Sequence, residues 1–235
     1  MDWLNIKKSI FCALDFKKIS EAKKLLNIIS SEIGGIKIGL ELFIANGPKV
    51  IKEFKKFNLP IFLDLKLHDI PNTVFEAIKS SIDMEPDYLS IHISGGSGML
   101  KKISSIKKRP KLIGITLLTS LDGKNLKEQG INISTHKYVQ KLVEIAMDSD
   151  LDGVVASPSE INLINEMTPK KFILITPGIR LKEDTNDDQK RFATPGSALK
   201  NGASILIIGR TITGSKDPLK TINDIKENIK NEEYS

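Results

Sequence analysis

Eight short apolar runs, separated by amphipathic stretches, constrain most tightly how this 235-residue chain can fold. They fall at 9–15, 35–39, 60–66, 88–93, 111–118, 153–156, 172–176 and 204–208. Most are rich in Ile, Leu and Val without clean alternation, the pattern of strands buried on both faces of a parallel sheet. Helical stretches at 20–33, 40–57, 72–82, 136–149 and 158–167 lie between them, with Ser20 expected to cap the first. Strand–helix alternation repeated eight times is the count of an α/β (β/α)8 TIM barrel with a parallel eight-stranded sheet. No linker or internal sequence repeat divides the chain, so residues 1–235 are expected to form one barrel domain. An open doubly wound sheet would want G-x-G-x-x-G after its first strand. Here that strand leads into Ala13-Leu14-Asp15-Phe16, and Gly95-Gly96-Ser97-Gly98 follows the fourth strand in the wrong order for a dinucleotide fingerprint.

In a barrel, chemistry collects at the C-terminal ends of the strands. The third strand and its exit read PIFLDLKLHDIPNT, residues 60–73. Residues two apart on a strand share a face, so Asp64 and Lys66 are neighbours, and Ile61, Leu63 and Leu65 line the other side. Burying two charges costs several kcal/mol unless they are paired. An edge-strand surface pair would be the alternative, but Ile61-Phe62-Leu63 argues for a central strand. Asp69 follows, then Pro71, whose fixed φ suits the first turn of a helix. The first strand ends in Asp15 and the second carries Lys37 between glycines, so four alternating charges stand at the ends of three consecutive, neighbouring strands.

Later strands contribute weaker signals. His92 lies near the end of the fourth strand, where a satisfied structural histidine is the default reading. Thr119 follows the fifth strand. The seventh leads into Thr176-Pro177-Gly178-Ile179-Arg180 and a long polar stretch containing Asp188-Gln189-Lys190-Arg191. Gly209-Arg210 follows the eighth, where barrels often bind phosphate; Gly209 allows close backbone approach and Arg210 offers a bidentate fork.

Composition narrows the classes. No apolar run approaches the ~20 residues of a membrane span, and the opening MDWLNIKKSIF lacks a leader's apolar core, so a cytoplasmic protein with no membrane partner is expected. Cys12 sits in an apolar run and reads as an inert buried thiol. The three histidines lack metal-ligand spacing, so no metal site is expected. The net charge of +6 comes mostly from lysines scattered among glutamates on helical stretches, which favours solvated faces and anionic substrates over nucleic acid.

The order D-x-K-x-x-D-I-P-x-T, carried by Asp64, Lys66, Asp69, Ile70, Pro71 and Thr73, resembles the bacterial-type orotidine 5'-phosphate decarboxylase family. Leu118-Thr119-Ser120, Pro177-Gly178-Ile179-Arg180, Asp188-Gln189-Lys190-Arg191 and Gly209-Arg210 with Ile212-Thr213 resemble further segments of that family, in order. Thr211 stands where many relatives carry proline. The resemblance implies cofactor-independent decarboxylation of orotidine 5'-monophosphate to uridine 5'-monophosphate, the last step of UMP biosynthesis. Lys66 would be the proton donor, held between Asp64 and Asp69, with Asp64 near the departing carboxylate and Lys37 on the ribose. Asp15 would take the ribose or base, Thr119 would lie beside the pyrimidine, Arg180 would bind substrate, and Gln189, Gly209 and Arg210 would hold the phosphate. It also implies a homodimer in which Asp69 and Thr73 enter the neighbouring subunit's site. Two rivals stay open: a Mg-dependent sugar-phosphate decarboxylase or aldolase sharing the D-x-K-x-x-D strand, and a non-catalytic barrel that binds RNA.

Overall fold

The computed structural model describes residues 3–181 and 192–233. Eight parallel strands, β1 (Ile10–Ala13), β2 (Gly35–Ile38), β3 (Ile61–Leu67), β4 (Tyr88–His92), β5 (Lys111–Ile115), β6 (Gly153–Val155), β7 (Ile173–Thr176) and β8 (Ile205–Ile208), follow one another round a closed barrel. Closure pairs Ile10, Phe11 and Cys12 of β1 with Leu206, Ile207 and Ile208 of β8. Side-chain alternation divides the apolar residues into two bodies. Phe11, Ala13, Phe62, Ile113, Ile175, Ile205 and Ile207 fill the barrel, where Tyr88 meets Phe11 and Phe62 edge-on with centroids 5.9 and 6.4 Å apart. The larger body, including Cys12, Ile36, Ile38, Leu63, Leu89 and Ile91, packs outward against the helices. The barrel interior is therefore filled, and the C-terminal mouth is where this architecture places its chemistry.

The helices depart from the sequence reading in specific ways. The stretch 40–57 is two helices, Leu40–Asn46 and Lys49–Lys55, because Gly47 takes φ 68° and Pro48 has no N–H to continue the first. Ser20 is not a cap: the first of the expected helices runs Ile19–Ile29, and its N-cap, Lys18, makes no side-chain capping bond. Residues 158–167 begin as a 3-10 turn, Pro158–Glu160, before the helix Ile161–Met167. Sequence reading did not propose Trp3–Ser9 or the 16-residue helix Pro218–Glu233. These two meet where Lys226, fully buried, bonds Glu32 at 2.6 Å and lies 4.4 Å from the centroid of the Trp3 ring. That hydrogen bond holds the Glu32 carboxyl below the usual carboxylate range. Among the described residues no helix is long and apolar enough to cross a membrane.

Candidate active site

The site begins with an irregularity in β3. Leu63 pairs with Leu89 and Leu67 with Ile91, so β3 takes four residue steps where β4 takes two. Within that bulge Lys66 adopts φ 53°, a left-handed conformation that costs a non-glycine residue of order 1–3 kcal/mol. Asp64 and Lys66 still meet, as the period-two reading required, with Nζ 2.7 Å from Oδ2. The other Asp64 oxygen, Oδ1, accepts from the Ser90 hydroxyl at 2.8 Å, and that hydroxyl accepts the Lys66 backbone N–H, also at 2.8 Å. Lys37, from β2, stands 3.9 Å from Asp64 Oδ2 and 3.0 Å from Asp15 Oδ1. The order Asp15, Lys37, Asp64, Lys66 thus alternates in sign across three adjacent strands. Asp64 is buried, and two cations offset its loss of water. Gly39 belongs to the same construction: a Cβ there would lie 2.8 Å from Lys37 Nζ.

Two adjoining cavities open over this network. One, of about 220 Å³, takes Asp64, Lys66 and Lys37 on one side and Phe62, Ile115, Leu117, Val155 and Ile207 as an apolar wall, with Thr119 and Ser157 at its edge. The other, of about 160 Å³, is lined by Asp15, Lys37, Gly178, Arg180, Gly209, Arg210 and Thr211. Lys37, Pro177 and Ile207 line both, so the two adjoin as one space with a mixed apolar–charged end and a cationic end. Arg180 is buried, and its backbone N–H bonds Ala193 O at 3.0 Å, which joins the chain after β7 to residues leading into the helix Pro195–Lys200. Gly209 is less constrained, since an added Cβ would meet only Ala13 Cβ at 3.5 Å and Asp15 Oδ2 at 3.7 Å.

The remaining expected residues separate from this cluster. Asp69 makes no ion pair with Lys66 within its own chain; its Oδ1 accepts the Ile70 N–H at 2.7 Å instead. Lys66 is therefore held by one carboxylate of its own protomer, not two. Asp69, Ile70, Pro71 and Thr73 all lie exposed, with Pro71 opening the helix Pro71–Ile82 as its φ suggested. Gln189, with Asp188, Lys190 and Arg191, lies outside the described residues. His92 is half-buried with its ring centroid 5.3 Å from that of His68, and burial foremost, then the charges of His68 and Lys66, hold its pKa below the ordinary 6.5. Cys12 is fully buried, and burial with the neighbouring Asp15 charge pushes its thiol up to about 12. Among the described residues no group of three or more His, Cys, Asp or Glu is placed to hold a metal ion.

Sequence reading missed Ser90, Gly39, Ser157 and the apolar wall. Ser90 was accessible in principle: in LSIHISGG it is the polar residue two before His92 on a strand beside β3, hence on the same inward face. The wall residues carry no signal beyond that of any barrel strand.

A profile described as the orotidine 5'-phosphate decarboxylase / HUMPS family matches residues 8–225. The orotidine 5'-phosphate decarboxylase of Buchnera aphidicola subsp. Schizaphis graminum is 44% identical over 230 residues, 96% of this chain and 97% of that protein. The corresponding protein of Fusobacterium nucleatum is 43% identical over 226 residues, 94% of this chain and 95% of that one. Among solved structures, orotidine 5'-phosphate decarboxylase from Lactobacillus acidophilus aligns with a TM-score of 0.80 at 32% identity, covering 94% of this chain and 98% of its own. The profile spans every strand from β1 to β8 and all four charged residues of the network, and the chain belongs to the orotidine 5'-phosphate decarboxylase / HUMPS family.

Proposed function

We propose that this enzyme decarboxylates orotidine 5'-monophosphate to uridine 5'-monophosphate, the closing step of UMP synthesis, with Lys66 as the proton donor and without a cofactor. The observation that carries this is the Asp64–Lys66 pair set against an apolar wall. Breaking the bond from C6 to its carboxylate leaves the electron pair on C6, with no adjacent carbonyl to accept it. A fixed ammonium opposite that carbon stabilises the pair as it forms, then passes one proton to C6 and is left as an amine that solvent reprotonates. The wall of Phe62, Ile115, Val155 and Ile207 favours neutral CO2 over a charged carboxylate, so departure is aided by the surroundings as well as by the Asp64 charge. Asp64 also places Lys66 through their 2.7 Å contact. Lys37 and Asp15 suit the ribose hydroxyls between the two cavities. The cationic end with Arg180 and Arg210 suits the phosphate, where remote binding energy is available to the chemical step.

The functional unit we propose is a homodimer. Asp69 and Thr73 are exposed in one protomer, and so are apolar side chains on the same run and on the helix after the neighbouring strand: Ile70 is 67% exposed and Ile44 77%. A second copy seated on this end would cover both and could bring its Asp69 to the unpaired side of Lys66. The deciding test is the absorbance of orotidine 5'-monophosphate mixed with purified protein in EDTA. Rapid conversion to uridine 5'-monophosphate is expected. No conversion by folded protein, with turnover of a pentulose or hexulose phosphate once Mg is added, would instead support the metal-dependent rival.

A further inference from the structure

We infer that Ser90 is a positioning residue for the reaction, acting through Asp64 and the Lys66 backbone; this rests on the decarboxylase reading above. Residues 64–66 lie outside the paired residues of β3 and β4, so the Lys66 N–H has no carbonyl partner in the ladder. A buried N–H left unbonded is destabilising, on top of the left-handed φ of the same residue. Ser90 Oγ meets that N–H at 2.8 Å. An amide can only donate, so the hydroxyl must accept there, and its single proton is then free for one other partner. That partner is Asp64 Oδ1, also at 2.8 Å. The direction of each bond is therefore fixed.

Two consequences follow from one hydroxyl. Lys66 is held in the twisted backbone that brings its ammonium to Asp64, and the Asp64 carboxylate is turned so that Oδ2 faces Lys66 and Lys37. Ser90 is wholly buried and does not line either cavity, so it reaches the reacting atoms only through these two residues. Without it the carboxylate is free to rotate and the bulge to relax toward regular pairing, and either moves the ammonium relative to C6.

The test uses full-length protein, with Ser90→Ala and Ser90→Thr measured beside wild type. Displacements of about 1 Å at a reacting group can cost ~10²-fold, so Ser90→Ala should lower kcat by about 10- to 100-fold. The KM and the affinity for uridine 5'-monophosphate should change little, because the phosphate and ribose contacts lie elsewhere. Ser90→Thr keeps the hydroxyl on a β-branched residue suited to a strand and should restore most of kcat. In an Asp64→Asn background the Ser90→Ala loss should shrink, because the part carried by the carboxylate is already gone and only the part carried by the Lys66 backbone remains. Should Ser90→Ala not fold, Ser90→Cys, a near-isostere with a weak donor, replaces it and should show an intermediate kcat. Wild-type kcat in Ser90→Ala, equal damage in Ser90→Thr, or an undiminished loss on Asp64→Asn would each overturn the inference. Wild-type protein inert toward orotidine 5'-monophosphate would sink the decarboxylase reading instead. Amide exchange at Lys66 reads the Ser90 contact independently of turnover: faster exchange in Ser90→Ala is expected, and unchanged protection counts against it.

Discussion

At the residue scale, the proposed reaction asks Lys66 to be both counter-charge and acid, and no other described cation meets Asp64 as closely. Lys66→Ala should abolish measurable turnover while the variant folds and still binds uridine 5'-monophosphate, checked by circular dichroism and titration. Loss of the fold would mean that the charge network is needed for structure. His92 offers a second residue-level prediction, with its sign set by burial. The folded state holds this histidine neutral below the pH at which an unfolded chain takes up a proton. Stability is thus complete above about pH 6.5 and lost as pH falls through the folded value. His92→Asn should flatten the fall in melting temperature between pH 7 and pH 5, and parallel curves for the two proteins would show that other groups, such as the neighbouring His68, control it. The charges of the site were legible because a buried strand has no use for Asp64 or Lys37 except as partners. Ser90 was not, since serine is unremarkable in any strand and the bulge that gives it a role leaves no mark in the apolar pattern.

At the scale of elements, the strands were readable and several helices were not, for one physical reason. Strands of this barrel are covered on both faces, so their burial is written in consecutive residues such as 205–208. The helix Pro218–Glu233 buries only a stripe, including Ile222, Ile225 and Ile229, and its many charged residues hide that spacing. Its burial of Lys226 was equally hidden, because the partner, Glu32, is remote in sequence. Removing one side of a buried pair costs about 3–5 kcal/mol, but Glu32 is 32% exposed and water moderates the loss, so Glu32→Gln should cost about 2 kcal/mol. Lys226→Met keeps the packing against Trp3 without the charge and should be near neutral. Urea unfolding of both separates the cases: equal losses would mean that Lys226 contributes mainly through its ion pair.

At the scale of the whole molecule, the exposed run from His68 to Thr73 would connect the barrel to the proposed homodimer. Lys66→Ala protein mixed with Asp69→Asn protein should recover part of the lost activity once subunits exchange, because some hybrid sites combine an intact Lys66 with an intact Asp69. Absence of recovery after exchange, followed by mass spectrometry of labelled subunits, would argue that each site is built from one chain. The resemblance supplied this expectation; the bare sequence left the direction of Asp69 open, as a residue past the end of a strand has no fixed face. In the proposed homodimer the exposed Ile44 and Ile70 would find their partners on another copy, which one chain's sequence does not spell out.

The two cavities also bear on how the barrel holds itself together. One is floored by β3, β5 and β6, the other lies across the seam where β8 meets β1, and Lys37, Pro177 and Ile207 belong to both. A nucleotide filling the joined space would touch chain segments from Ala13 to Thr211, spanning the seam like a non-covalent staple. Occupancy would then tie the first strand to the last, and the enzyme's resistance to opening at that seam would rise and fall with its supply of nucleotide.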